Sequence, residues 1–174
     1  VLGAGPIEVT AFRNLTGTAT GIGPYTPQGV DNLDPAAQFG YFLGVDNGTF
    51  GRIVVRRISN PGGTPTISGN LMIFVPATTL PMHVPALGSE RRLSAVDDRL
   101  SNAEIYRNLM NGSSAIWVAH SIQVNASGAA SNGGMRTAVR WYQLTDFDNT
   151  PTLIHSGTIF DPAATNPTNN WMGS

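Results

Sequence analysis

The feature of this sequence that most constrains its fold is an internal repeat. Residues 52–77 read RIVVRRISNPGGTPTISGNLMIFVPA, and residues 138–163, which lie 86 positions further along, read AVRWYQLTDFDNTPTLIHSGTIFDPA. Without a gap, the two copies share a Thr-Pro-Thr segment, an Ile-Phe pair and a Pro-Ala ending. Each copy consists of a run rich in β-branched and aromatic residues, a Pro-containing loop and a second such run. The repeat therefore predicts two equivalent pairs of strands.

Further short runs of the same composition, bounded by Gly, Pro, Asn and Asp, extend each pair to about four strands. The predicted strands cover residues 7–13, 39–45, 52–58, 66–75, 105–109, 116–124, 138–144 and 153–160. Helical periodicity is almost absent, since residues 94–109 follow a helical stripe only loosely. The 20 glycines and 12 prolines favour turns over long helices. The sequence therefore predicts an all-β fold.

Four-stranded antiparallel meanders that repeat along a chain are the building blocks of a β-propeller. We therefore predict about two propeller blades, with a β-sandwich of two related halves as the alternative. The first blade-like unit covers residues 1–77 and includes a long loop at 17–38, and residues 78–101 form a loop insertion. The second unit covers residues 102–163, and residues 164–174 begin a further unit.

Two blades cannot close a ring, because propellers have at least about four. Isolated blades would expose apolar sheet faces, at about 25 cal/mol for each Å² of apolar surface, and unpaired strand edges. We therefore expect the remaining blades to come from a larger parent protein or from copies of the same chain. Val1 and Ser174 are interpreted as the ends of a processed or excised segment.

The composition excludes several classes of function. Ten arginines against eleven acidic residues leave a formal net charge of −1, so no basic field is available to hold a nucleic acid. No stretch approaches the roughly 18 consecutive apolar residues that a membrane helix needs. The sequence has no cysteine and no lysine, which excludes disulfides, thiol-ligated metals and Schiff-base chemistry.

Four motifs together carry a resemblance to a known family. They are Asp97-Asp98-Arg99-Leu100, Ile116-Trp117-Val118-Ala119-His120, Arg140-Trp141-Tyr142 and Ser156-Gly157-Thr158-Ile159-Phe160-Asp161-Pro162. The set resembles the repeats of large, secreted, mostly uncharacterised bacterial proteins with propeller-like repeats, and the likeness covers roughly residues 39–171. The ending Trp171-Met172-Gly173-Ser174 departs from that family's pattern, which has a proline before the serine. The resemblance implies an extracellular propeller and supplies no established reaction or catalytic residues.

The densest charge cluster of the sequence contains Asp97, Asp98 and Arg99, with Glu90, Arg91 and Arg92 upstream. Adjacent carboxylates in a loop are one way to hold Ca²⁺, which takes about six to eight oxygen ligands. In the other interpretation, Arg99 pairs with a neighbouring acid and pins a long loop onto the blades. The sequence favours pinning over calcium at Asp97 and Asp98, and favours a catalytic role least.

Arg136, Arg140 and Trp141 are the candidates for contact with a partner or a glycan. A guanidinium group binds a sugar carboxylate in bidentate fashion, and tryptophans that meet at one surface form a stacking platform for carbohydrate. The alternation of the strand nevertheless predicts that Arg140 points outward beside Trp141, and packing between sheets is favoured for the tryptophans. His120 and His155 lie on predicted strands and are interpreted as hydrogen-bonded structural side chains.

The sequence favours a non-enzymatic function: an extracellular structural or adhesive module, secreted or at the cell surface, that binds partners through its loops. The alternative is part of a secreted, sialidase-like glycan hydrolase. Such hydrolysis needs a pair of carboxylates or a tyrosine nucleophile, and the only glutamates are Glu8, Glu90 and Glu104. The sialidase Asp-box pattern, Ser-x-Asp-x-Gly-x-Thr-Trp, does not occur.

Overall fold

The computed structural model describes residues 9–13, 15, 23–32, 38–46, 48–61, 63–107, 113–165, 167 and 169–171. Within these residues the chain forms strands and turns and no helix, which confirms the predicted all-β class. This part of the chain accordingly has no helix long and apolar enough to cross a membrane.

Eleven strands follow one another along the described chain. They are β1 (Pro24–Asp31), β2 (Phe39–Asp46), β3 (Arg52–Ser59), β4 (Thr66–Ile67), β5 (Leu71–Phe74), β6 (Val84–Ala86), β7 (Ser89–Leu93), β8 (Ser101–Arg107), β9 (Ser114–Val124), β10 (Arg136–Thr145) and β11 (Thr152–Ile159). Nine of them form one sheet in the order β11-β10-β9-β8-β1-β2-β3-β4, with β5 also paired to β3. The strands β6 and β7 form a separate hairpin.

The large sheet consists of two antiparallel meanders. The first unit contains β1 to β5, and the second unit contains β8 to β11. The units join where β1 runs parallel to β8, with Val30 opposite Ala103 and Asp31 opposite Glu104. The first strands of the two units therefore lie side by side and run in the same direction.

The strand register confirms that the two copies of the repeat form equivalent strands. Residues that pair between β3 and the β4–β5 segment have counterparts 86 positions later that pair between β10 and β11. The equivalent pairs are Ile53–Ile73 and Val139–Ile159, Val55–Leu71 and Trp141–Gly157, and Ile58–Ile67 and Leu144–Leu153. The third and fourth strands of both units therefore share one pairing scheme.

The two units face each other across a shared apolar core. Its buried residues are Tyr41, Leu43, Val45, Ile53, Val55 and Ile73 from the first unit, Ile116, Val118, Tyr142, Leu144 and Phe147 from the second, and Leu100 from the segment before β8. Tyr41 meets Phe147 edge-on with ring centroids 5.4 Å apart, and its hydroxyl donates to Asp148 at 2.5 Å. Arg57 donates to the Phe147 carbonyl at 3.0 Å. Polar contacts at the rim thus reinforce the packing of the two sheets.

Strand β1 corrects the prediction of a loop over residues 17–38. Its sequence contains Pro24, Pro27 and Gly29, which are turn formers and hide the strand signal. The pairing with β2 shifts between Tyr25 and Gln28, and Thr26 has a φ of 40°. Such a bulge lets prolines occur within a strand.

Other predicted boundaries differ from the structure as well. Residues 9–13 form no strand, contrary to the prediction for 7–13, of which Ile7 and Glu8 lie outside the described residues. The predicted insertion at 78–101 contains the β6–β7 hairpin. Strand β8 starts four residues before the predicted Ile105, and Leu109 lies outside the described residues.

Leu43→Ala tests whether the two units unfold together. Leu43 belongs to the first unit and is completely buried, so its truncation should lower the free energy of unfolding by about 2–5 kcal/mol. All three tryptophans follow residue 116, and their fluorescence therefore reports on the second unit. We expect the fluorescence midpoint in urea to fall together with the circular dichroism midpoint, because the core is shared. Leu87→Ala, at a fully exposed turn, is the control. A fluorescence midpoint that keeps its wild-type value in Leu43→Ala would contradict the shared core.

Candidate functional site

The predicted charge cluster lies in the loop that leads into β8. Arg99 donates from Nε to Asp97 Oδ1 and from Nη2 to Asp97 Oδ2, both at 2.7 Å, which makes a bidentate ion pair. The Tyr25 hydroxyl on β1 donates to the same carboxylate at 3.2 Å, and the Arg99 guanidinium lies 5.8 Å from the Tyr25 ring centroid. The hydrogen bonds from Arg99 lower the pKa of Asp97 to about 2. These contacts attach the loop to the first unit, as the pinning interpretation predicts.

A calcium ion at Asp97 and Asp98 would have to displace these contacts, because both Asp97 oxygens already accept hydrogen bonds. Asp98 is buried, and this burial raises the pKa of its carboxyl. Within the described residues, no group of three or more His, Asp or Glu side chains is placed to hold a metal ion. Calcium here stays a prediction from the sequence.

The loop carries backbone strain directly before the charge cluster. Val96 has a φ of 60°, in the left-handed region that β-branched residues disfavour. Its backbone N–H donates to Ser94 Oγ at 3.1 Å, while its side chain is exposed. Burial of Val96 therefore does not offset the strain, and the neighbouring contacts of Asp97 hold the conformation.

A buried polar cluster connects this loop to the second unit. His120 on β9 is 1% exposed, with Nδ1 at 2.6 Å from the Asp98 backbone carbonyl and Nε2 at 2.9 Å from the Tyr142 hydroxyl on β10. A carbonyl only accepts, so Nδ1 carries the proton and Nε2 accepts from Tyr142. Arg140 is hydrogen-bonded to Tyr142 and donates from Nε to Thr158 Oγ1 on β11 at 2.8 Å. The cluster thus joins three strands and the loop.

Burial sets the protonation states of this cluster. It lowers the pKa of His120 to about 4 and raises the pKa of Tyr142 above its ordinary value. Both side chains are therefore neutral at pH 7. A tyrosine nucleophile needs an accessible oxygen that loses its proton readily, whereas Tyr142 is completely buried. The cluster stabilises the loop and the strands, which confirms the interpretation of His120 as a hydrogen-bonded structural residue.

The two arginines that the sequence proposes for glycan contact are both buried. Arg140 lies on the same face of β10 as Tyr142, toward the first unit, so the predicted outward orientation beside Trp141 is wrong. Arg136 donates to the backbone carbonyls of Asp161 and Ala163, the latter at 2.7 Å, and fastens the segment that follows β11. Neither guanidinium is accessible to a sugar carboxylate.

Trp141 lies on the opposite face of β10, together with Trp117 from β9. Their ring centroids are 5.5 Å apart, and the ring planes are inclined by 31°. Trp141 pairs with Ala119 on one side and with Gly157 on the other, and a Cβ on Gly157 would lie 2.6 Å from the indole. Glycine therefore gives the indole room to lie across β11. Among the described residues, the predicted packing between sheets is not found for this pair, since it points away from the shared core and Trp117 is 40% exposed.

The contact of His120 with Tyr142 is absent from the sequence-based prediction. Across the β9–β10 hairpin His120 pairs with Arg140 and Val118 pairs with Tyr142, so the contact is a diagonal one. The polar loop between the two alternating strands is the signal that fixes this register.

The chain matches no protein-family model, no curated protein and no solved structure.

The lowered pKa of His120 predicts that the protein loses stability in mild acid. The unfolded chain takes up the proton near pH 6.5, whereas the folded protein takes it up near pH 4. The stabilisation is therefore complete above pH 6.5 and decreases as the pH falls to about 4, by on the order of 3 kcal/mol. Urea unfolding at a series of pH values measures this dependence. His120→Asn keeps a donor for the Asp98 carbonyl and does not titrate, so it should flatten the profile. Equal slopes in the wild type and the variant would contradict the assignment.

Gly157→Ala tests the close approach of Trp141 to β11. The added methyl group overlaps the indole, so we expect the free energy of unfolding to fall by about 1–3 kcal/mol. Urea titration followed by tryptophan fluorescence provides the measurement. Gly69→Ala is the matched control, because nothing lies within 4 Å of its Cβ position. If both variants are as stable as the wild type, the indole does not occupy this place.

Proposed function

We propose that this chain is a structural or adhesive module of an extracellular bacterial protein, built as two β-propeller blades. The module is secreted or lies at the cell surface. It is a segment of a larger protein or a subunit that assembles with itself. It acts by packing against further units and by binding partners through its loops, without catalysis.

The observation that carries this proposal is the head-to-tail order of the two units. Val55 of the first unit points into the shared core, whereas its equivalent in the second unit, Trp141, points away from the first unit. The units therefore follow one another in the same sense, as successive blades do around a propeller axis. In a sandwich, the outward-facing positions of each sheet are polar. Here Trp117 and Phe42 are about 40% exposed on the two outer faces, which favours the propeller.

The β6–β7 hairpin supports binding through a surface loop. Among the described strands it pairs only with itself, and every residue of β7 is exposed. Glu90, Arg91 and Arg92 thus present charges of both signs to the solvent. Arg92 donates to the His83 carbonyl at 3.2 Å, which orients one side of the hairpin. A charged, projecting hairpin on a rigid pair of sheets is suited to contact a partner.

The burial of the candidate polar residues supports a non-catalytic role. A sialidase-like hydrolase would need accessible arginines for the sugar carboxylate and an accessible tyrosine or a pair of carboxylates. Arg136, Arg140 and Tyr142 are all buried and bound within the fold. The three side chains that the sequence offers for such an assembly are therefore inaccessible.

A panel of fluorogenic glycosides, including a sialoside, tests the proposal against the hydrolase alternative. We expect the purified chain to release fluorophore no faster than buffer between pH 4 and pH 8, because the candidate groups are inaccessible. A known sialidase in the same plate controls for substrate quality. Turnover that co-purifies with the protein through two chromatographic steps would contradict the proposal.

A further inference from the structure

The second unit presents, on its outer side, the same positions that the first unit uses to pack against the second. Tyr41 pairs with Arg57, and Trp117 pairs with Gln143, the residue 86 positions after Arg57. The same comparison of registers extends to the neighbouring strands. Of the six core residues of the first unit, Leu43 and Val45 correspond to Ala119 and to the buried Ser121. The other four, Tyr41, Ile53, Val55 and Ile73, correspond in order to Trp117, Val139, Trp141 and Ile159 of the second unit. We call these four residues of the second unit the front face.

The front face is apolar and exposed to solvent, whereas the equivalent residues of the first unit are covered by the second unit. Tyr41, Ile53, Val55 and Ile73 are all buried in the shared core. On the front face, Trp117 is 40% and Ile159 is 49% exposed, and no member of the face carries a charge. An apolar sheet face of this kind marks an interaction surface.

The outer side of the first unit carries the counterparts of the positions by which the second unit packs against the first, and they are open only in part. Arg56 and Ile58, the counterparts of Tyr142 and Leu144, are already buried, whereas the counterpart of Val118 is exposed. Phe42 pairs with Arg56, and Val118 pairs with Tyr142, which makes Phe42 the equivalent of Val118. Val118 is 4% exposed because the first unit covers it, whereas Phe42 is 41% exposed. Phe74, on the same side of the first unit, is 69% exposed. We call Phe42 and Phe74 the back face.

We infer that the front face binds the back face of a second copy of this chain at Phe42, which holds the position that Val118 holds in the interface between the two units of one molecule. The inference rests on the proposed function and names its partner and surface. The contact is made by sheet faces, because the corresponding positions of the two units lie on the faces of their strands. It is heterologous, since it joins two different faces, and it therefore builds a closed ring or an open filament instead of stopping at a dimer.

Blocking one face at a time tests this arrangement. Trp117→Glu places a charge on the front face, and Phe42→Glu places one on the back face, both at exposed positions. Leu87→Glu, at the exposed turn of the β6–β7 hairpin, is the matched control. Mass photometry and sedimentation velocity at micromolar concentration give the distribution of assembled masses relative to the 18.4 kDa chain. Circular dichroism confirms that each variant is folded, and Ile159→Glu replaces Trp117→Glu if that variant is not.

We expect the wild type and Leu87→Glu to form species larger than a dimer, and each blocked variant alone to be a monomer. An equimolar mixture of Trp117→Glu and Phe42→Glu should then form dimers and nothing larger, because one intact front face and one intact back face remain. Monomeric wild type would overturn the inference. So would a Phe42→Glu variant that still assembles by itself, because this would show that the front face binds another front face.

The two proposals fail in different ways. Loss of the expected assembly, with no glycoside turnover, removes the front face as a docking site and leaves the non-catalytic module intact. Glycoside turnover by a protein that assembles as expected overturns the proposed function and leaves the docking site intact.

Discussion

The packing of one sheet face of the first unit against the second is the interaction on which the rest of the structure depends. A meander without a partner would leave its apolar face in water, at about 25 cal/mol for each Å² of apolar surface. Leu43 and Val55 from one unit and Ile116 and Leu144 from the other remove that surface in a single core. The burial of His120, Tyr142 and Arg140 follows from the same contact, and burial keeps His120 and Tyr142 neutral at pH 7.

Two adjacent residues fasten this contact at its edge. The carboxylate of Asp97 accepts a hydrogen bond from Tyr25 of the first unit, and the backbone carbonyl of Asp98 bonds to His120 of the second. One dipeptide therefore holds both units, and the ion pair with Arg99 keeps it in place. This explains why charged residues are concentrated in a loop of a protein that otherwise has few of them. The backbone strain at Val96 is tolerated because the residues that follow are fixed on both sides.

The sequence permits prediction of those features that depend on local pattern. The gapless repeat specifies the third and fourth strands of both units and their register, and the lack of helical periodicity gives the fold class. Strand β1 is not predicted because its prolines are typical of turns and its bulge at Thr26 interrupts the regular strand pattern. The direction of the Arg140 side chain is not predictable from the sequence, because alternation separates the two faces of a strand without showing which face is buried. That choice is made by the packing of the two units, which is not encoded in any single strand.

The order of the strands along the chain also affects how the protein is made. The first unit is complete at Phe74, but the core residues that cover it lie on strands of the second unit, which ends at Ile159, about 85 residues later. At ribosomal rates of about 5–20 residues per second, the apolar face of a nascent first unit stays exposed for several seconds before the second unit is synthesised and packs against it. During that interval it is a substrate for chaperones and a site for wrong pairing between neighbouring nascent chains. Slow translation between the two units would lengthen this exposure, so codon choice in that interval bears directly on the yield of folded protein.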